Sequence, residues 1–178
     1  MRDYHQLITD LDDWESHNKC PISVDCWLQG SGSFNLAVAF TSVFWPEFVT
    51  HDQSVFLAPF DEARRKSYDG FRALEADGVA DSITRTEVTM NHQHIADLFI
   101  NDPDGPTREQ VLYLGRTLKN IWELKLANEF PERKFVVSFP EDFSEDLSDY
   151  EITFWEERDR NPEQGEQDVP PKSDRAGG

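Results

Sequence analysis

At 178 residues, with 35 Asp and Glu against 17 Lys and Arg, the chain carries a formal charge of -18, a field that repels nucleic-acid phosphates and anionic membranes and favours a basic partner. Aromatic residues make up 12% of it, including 13 Phe and 5 Trp, too many for a solvating acidic polymer, so a folded core is expected. No apolar run approaches the ~18 residues that cross a bilayer, and the polar opening Met1-Arg2-Asp3-Tyr4 has no secretory h-region, which makes the cytoplasm the expected compartment.

Tyr4, Leu7, Ile8, Leu11 and Trp14 recur at helical spacing with Asp10, Asp12, Asp13 and Glu15 mostly opposite, predicting an amphipathic first helix. Cys20 and Cys26, the only cysteines, have neither a redox nor a zinc-knuckle spacing and read as reduced structural thiols. A segment opened by Pro21 runs into Gln29-Gly30-Ser31-Gly32-Ser33, which lacks the lysine of a phosphate-binding loop and the order of a nucleophile elbow and so reads as a turn. Residues 34–45 alternate like a strand yet also suit a buried helix. Their length, Ser33 as an N-cap and the stop before Pro46 favour the helix, while a hairpin pairing 22–28 with 34–40 stays open.

After a turn at His51-Asp52-Gln53 comes a short strand over 54–58. Phe60, Ala63, Ser67, Phe71 and Leu74 then mark an amphipathic helix closed by Asp77-Gly78. A short helix is predicted over 91–100, burying Ile95, Leu98 and Phe99. The turn Asp102-Pro103-Asp104-Gly105-Pro106 precedes Thr107 and Gln110, a capping box opening the longest helix, whose face is Val111, Leu114, Leu118, Ile121, Trp122 and Lys125 and which Pro131 ends. Alternation of Phe135, Val137 and Phe139, then of Tyr150, Ile152 and Phe154, predicts an antiparallel hairpin, with 54–58 as its third strand. The expected fold is therefore one α+β domain over 1–157, with four or five helices on a small, mainly antiparallel sheet of about three strands. From 158 to 178 the sequence is charge, Pro, Gly and Gln, which predicts a disordered tail.

Among possible chemistry, Asn91-His92-Gln93-His94 with Asp97 is the cluster whose residue types could bind a transition metal or move a proton. On a helix His92 and His94 point about 200° apart, and only His94 shares a face with Asp97; on a strand the two imidazoles would converge. The helix reading therefore predicts no metal and no cofactor. The alternative is a metal-dependent hydrolase on His92, His94 and Asp97, with Glu87 as an outer member. Asn101-Asp102-Pro103-Asp104-Gly105 has Pro103 and an early Gly105 out of register for a calcium loop. Cys26 has no identifiable base. Between Glu141 and Glu151 the run Glu141, Asp142, Glu145, Asp146, Asp149, Glu151 contains no Lys or Arg and interleaves Phe143, Leu147 and Tyr150. Asp142, Phe143, Glu145, Asp146 and Asp149 are accordingly the expected docking residues for a basic protein, charge steering the encounter and the ring supplying affinity.

Three segments carry a resemblance: Phe44-Trp45-Pro46-Glu47-Phe48-Val49, Asn91-His92-Gln93-His94 through Asp97-Leu98-Phe99, and Trp122-Glu123-Leu124-Lys125-Leu126 through Glu129-Phe130-Pro131-Glu132-Arg133-Lys134-Phe135-Val136-Val137. Over 34–155 the chain resembles a family of small bacterial α+β proteins, uncharacterised in activity, and the resemblance implies the fold alone. In size, acidity and lack of a catalytic set it is also similar to immunity proteins and antitoxins of bacterial conflict systems. That likeness implies a non-enzymatic factor masking a basic toxin or nucleic-acid-binding protein. A nucleic-acid mimic, its carboxylates standing in for phosphates, is the further reading, and it requires ordered acidic rows on the folded domain.

Overall fold

The computed structural model describes Tyr4 and residues 7–76, 83–99 and 105–158, and within these the chain is α+β. Helices α1 (Thr9–Asn18), α2 (Val24–Ser31) and α3 (Phe34–Phe44) lead into a hairpin of β1 (Phe48–His51) and β2 (Ser54–Leu57). Next come α4 (Glu62–Ala76), α5 (Ile83–Asn91), the two-residue strand β3 (Gln93–His94) and a 3-10 turn (Ala96–Phe99). The chain continues through α6 (Arg108–Glu129), β4 (Phe135–Ser138) and β5 (Glu151–Glu156). Both sheets are antiparallel, and β5 lies between β3 and β4 in the second.

Helix α6 forms the backbone of the core. Thr107 accepts from the Gln110 amide and Gln110 reaches back to the Thr107 N–H, a complete capping box that satisfies two orphan donors. The face then buries Val111, Leu118, Trp122 and Leu126 against Val137, Ile152 and Phe154. Phe154 is the hub, meeting Phe48, Trp122 and Phe135 edge-on at ring separations of 5.2, 6.1 and 6.2 Å. Gly115 is required because the Phe139 ring seats against it: a Cβ there would lie 2.1 Å from that ring. The Trp122 indole donates to the Val43 carbonyl at 3.1 Å, joining α3 to this core.

Polar side chains fix α5 between the two sheets. Asn91, fully buried at the end of α5, donates to the carbonyls of Val55 and Phe154 and accepts from the Leu57 amide, so one amide group reads a strand of each sheet. Thr153 donates to the Val88 carbonyl. One turn earlier Glu87, 0% exposed, accepts from the Glu156 amide and from both terminal nitrogens of Arg158. Arg158 also meets Glu156, which Arg133 grips in a fork at 2.9 and 2.7 Å. The Arg133 contact holds the Glu156 carboxyl below the usual glutamate range, and the Glu87 contact raises the Arg158 guanidinium further.

Several expectations need correction. Residues 91–100 are not one helix: α5 ends at Asn91 because its side chain is spent on the two sheets, and the chain then runs extended as β3 against β5. The third strand of the β4–β5 sheet is β3, whereas β2 pairs with β1, since the Asp52–Gln53 turn, with Asp52 at φ 52°, folds it back locally. The first helix starts at Thr9 rather than Tyr4 and buries Leu11 alone, and Lys19 in the left-handed region ends it. Gln29, Gly30 and Ser31 belong to α2, whose N-cap Ser23 accepts from the Cys26 amide; the break comes at Gly32, where a Cβ would stand 2.4 Å from the Leu28 carbonyl oxygen. The hairpin over 22–28 and 34–40 is excluded, both stretches being helical. Cys20 and Cys26 are free thiols, as expected, and both are exposed. Asp77-Gly78, residues 101–104 and residues 159–178, which include the predicted helix cap, the proline turn and most of the predicted tail, lie outside the described residues.

Candidate functional site

The change from helix to strand after Asn91 is what brings the histidines together. Along β3 the side-chain period is two, so His92 and His94 fall on one face while Gln93 takes the other. Their rings meet edge-on at 5.4 Å. In the β3–β5 register His94 stands directly opposite Glu151, and its Nε2 lies 4.0 Å from the Glu151 carboxylate. The Nδ1 of His92 bonds the Thr89 carbonyl, and that of His94 bonds the Ser148 carbonyl at 2.7 Å. A carbonyl only accepts, so each Nδ1 is the donor, and in a neutral ring of this tautomer the lone pair is on Nε2. One ligand atom from each of His92, His94 and Glu151 lies within 4.8 Å of the other two.

Two expected members of this cluster stand elsewhere. Asp97 is exposed on the 3-10 turn and outside the group, its place taken by Glu151. Glu87 is buried against Arg158 and is not an outer member. Beside the cluster, His92 and Gln93 border a pocket of about 440 Å3 that also meets Arg64, Met90 and Pro59. Arg64 donates to the carbonyls of Leu57, Pro59 and Met90, and burial lowers its pKa. Its grip on the last turn of α5 and the end of β2 holds the backbone from which His92 departs.

The acidic run forms the β4–β5 connection and is held at the N-terminal end of α6. Arg108 donates to the Ser144 carbonyl at 3.1 Å and lies 4.1 Å over the Phe143 ring, which nonetheless remains 71% exposed. The buried Tyr150 hydroxyl accepts from the Ser144 amide. Asp146 caps a 3-10 turn (Leu147–Asp149) by accepting from the Ser148 amide, which lowers its pKa. Asp149 accepts from the Ser144 hydroxyl, and Glu141 pairs with Arg116 at 3.3 Å. Asp142 and Glu145 have no ion-pair partner among the described residues. The run has no base of its own, but the fold brings Arg108 and Arg116 to it.

A third surface escaped the sequence reading. No residue of α2 or α3 is buried, although α3 is apolar apart from Asn35, Thr41 and Ser42. Phe34 is 93%, Leu36 56% and Val38 68% exposed. Phe34 and Leu36, with Trp27, Leu28 and Phe40, border a groove of about 650 Å3. Isolated exposed apolar residues are ordinary, but a continuous apolar groove on a water-facing helix pair marks an interaction site. The available signal was the scarcity of polar residues in 34–44, taken to mean burial within the chain.

Among the described residues no helix is long and apolar enough to cross a membrane. No family model, curated protein or solved structure matches the chain.

Proposed function

We propose that this protein is a non-enzymatic interaction module, an immunity- or antitoxin-like factor that masks a basic protein, and that the partner seats an apolar face on α2 and α3. The observation that carries this reading is the exposure of Phe34, Leu36 and Val38 on a predominantly apolar helix. Covering each such side chain is worth about 1.5–3 kcal/mol. Charge argues for the occupant. Between Lys19 and Arg64 the sequence has no Lys or Arg but contains Asp25, Glu47, Asp52, Asp61 and Glu62. A second copy would bring another chain of charge -18 against this acidic one, whereas a basic partner gains on approach. The β4–β5 acidic loop, with Asp142, Phe143, Glu145, Asp146 and Asp149, is about 20 Å away along α6, taking Arg108 and Trp122 as its two ends at 1.5 Å per residue. It serves as the steering surface, its unpaired Asp142 and Glu145 acting at long range.

A photo-cross-linking residue at position 36, used in the native host, identifies the partner. Reconstitution with the purified partner is then the test. Leu36→Glu should weaken binding at least about tenfold, chiefly by faster dissociation. Reversal of Asp142, Glu145 and Asp146 to Lys should instead slow association and flatten its salt dependence. A partner indifferent to Leu36→Glu, or a stable homodimer through this face in sedimentation, overturns the assignment.

A further inference from the structure

We infer that His92, His94 and Glu151 form a binding site for one divalent transition-metal ion of the zinc class. The donor set is two imidazole nitrogens and one carboxylate oxygen, which suits zinc, cobalt or nickel and is poor for magnesium or calcium, whose shells are all oxygen. Ligand atoms around a tetrahedral ion at about 2.0–2.1 Å lie roughly 3.3 Å from one another. The three atoms here are within 4.8 Å, with His94 Nε2 at 4.0 Å from Glu151, so closure needs movements on the order of 1 Å. Glu151 can supply those on its own side, its side chain being 45% exposed.

Preorganisation separates this group from a chance cluster. A liganding histidine ordinarily donates its other ring N–H to a carbonyl or carboxylate, which fixes both tautomer and ring direction. Both histidines already do so, to Thr89 and Ser148. These carbonyls belong to different elements, the last turn of α5 and the 3-10 turn before β5, so each ring is oriented independently. The backbone beneath them is equally held, by Asn91 on one side and by the Ile95 amide bonding the Tyr150 carbonyl on the other. Three protein ligands at the surface leave a fourth position open to water or to a group from outside. The net charge of -18 favours the cation at every distance.

Untagged protein, stripped with a chelator and titrated calorimetrically with zinc, should take up one ion per chain, with magnesium and calcium giving no comparable heat. Cobalt(II) in the same site should show d–d absorption of a nitrogen and oxygen shell without thiolate charge transfer. His94→Ala and Glu151→Gln should each weaken zinc binding about tenfold or more, while the metal-free melting midpoint of Glu151→Gln stays that of the wild type. Should His94→Ala fail to fold, Glu151→Gln, which keeps side-chain shape at an exposed position, decides alone. Substoichiometric zinc uptake, affinity unchanged by Glu151→Gln, or a thiolate band placing the ion on Cys20 or Cys26 would overturn the site.

Discussion

Helices α3 and α6 are both rich in apolar side chains and meet opposite fates. Along α6, polar residues confine the apolar ones to one stripe, and that stripe meets β4 and β5, so Val111, Leu118, Trp122 and Leu126 are buried. Helix α3 is the more apolar of the two, yet only its last turn, with Val43 and Phe44, packs against the core. Burial is thus a property of a pair of faces rather than of one segment. A helix apolar over most of its circumference has more surface than a single small sheet can cover, and the remainder faces water.

The comparison breaks first at Trp122. Replacement by Ala removes the largest buried side chain and its bond to the Val43 carbonyl, so urea unfolding should show a loss of about 3–5 kcal/mol. A loss below about 1 kcal/mol would mean that α6 is not the centre of the core. Arg158→Ala comes next, because it leaves Glu87 buried without a cation; the expected cost is about 3 kcal/mol, and Glu87→Gln in the same background should recover part of it. The same group of charges sets an acid limit. Glu156 has its pKa lowered in the folded state by Arg133, so its contribution is complete above the unfolded value near about 4.3 and is lost as pH falls through the lower folded value. Stability measured from pH 6 downward should therefore drop more steeply below about 4.3 in the wild type than in Glu156→Gln.

Gly115→Ala sharpens the contrast between covered and open helix surface. In an unobstructed helix this change gains about 1 kcal/mol, but the Phe139 ring occupies the space, and overpacking of this kind costs about 1–3 kcal/mol. A lower melting midpoint is expected, and a raised one would show that the ring yields freely. The smallest effect belongs to α3: Leu36→Ser should change stability by no more than about 0.5 kcal/mol, because that residue is already 56% exposed. A loss comparable to that at Trp122 would mean that α3 packs inward after all.

The parts legible in the sequence were those fixed by local chemistry. Thr107 with Gln110 announced α6, Pro46 limited α3, and the alternations ending at Phe139 and beginning at Tyr150 marked the β4–β5 hairpin. What stayed hidden depended on partners far away in the chain. Asn91 looked like a helix start because Asn caps helices, whereas it ends α5 by bonding Val55 and Phe154, 36 and 63 residues distant. That single reversal hid β3 and with it the convergence of His92 and His94. Glu151 as their third member needed the β3–β5 register, which no spacing in the sequence reveals. Lys125, read as part of the apolar face, proves buried, its ammonium paired with Glu129 and lying over Trp45 and Phe48.

The Asn91 amide has a consequence in time as well as in space. Separating β1–β2 from β3–β5–β4 must break either its bond to the Phe154 carbonyl or both of its bonds to β2, since its Nδ2 holds the Val55 and Phe154 carbonyls and its Oδ1 holds the Leu57 amide. Neither sheet can swing away alone without stranding a buried polar group. The backbone amides of the buried Phe56 and Phe154, though they belong to different sheets, should therefore exchange with deuterium through one shared opening event and at one common free energy, and Asn91→Ala should split that cooperative unit into two.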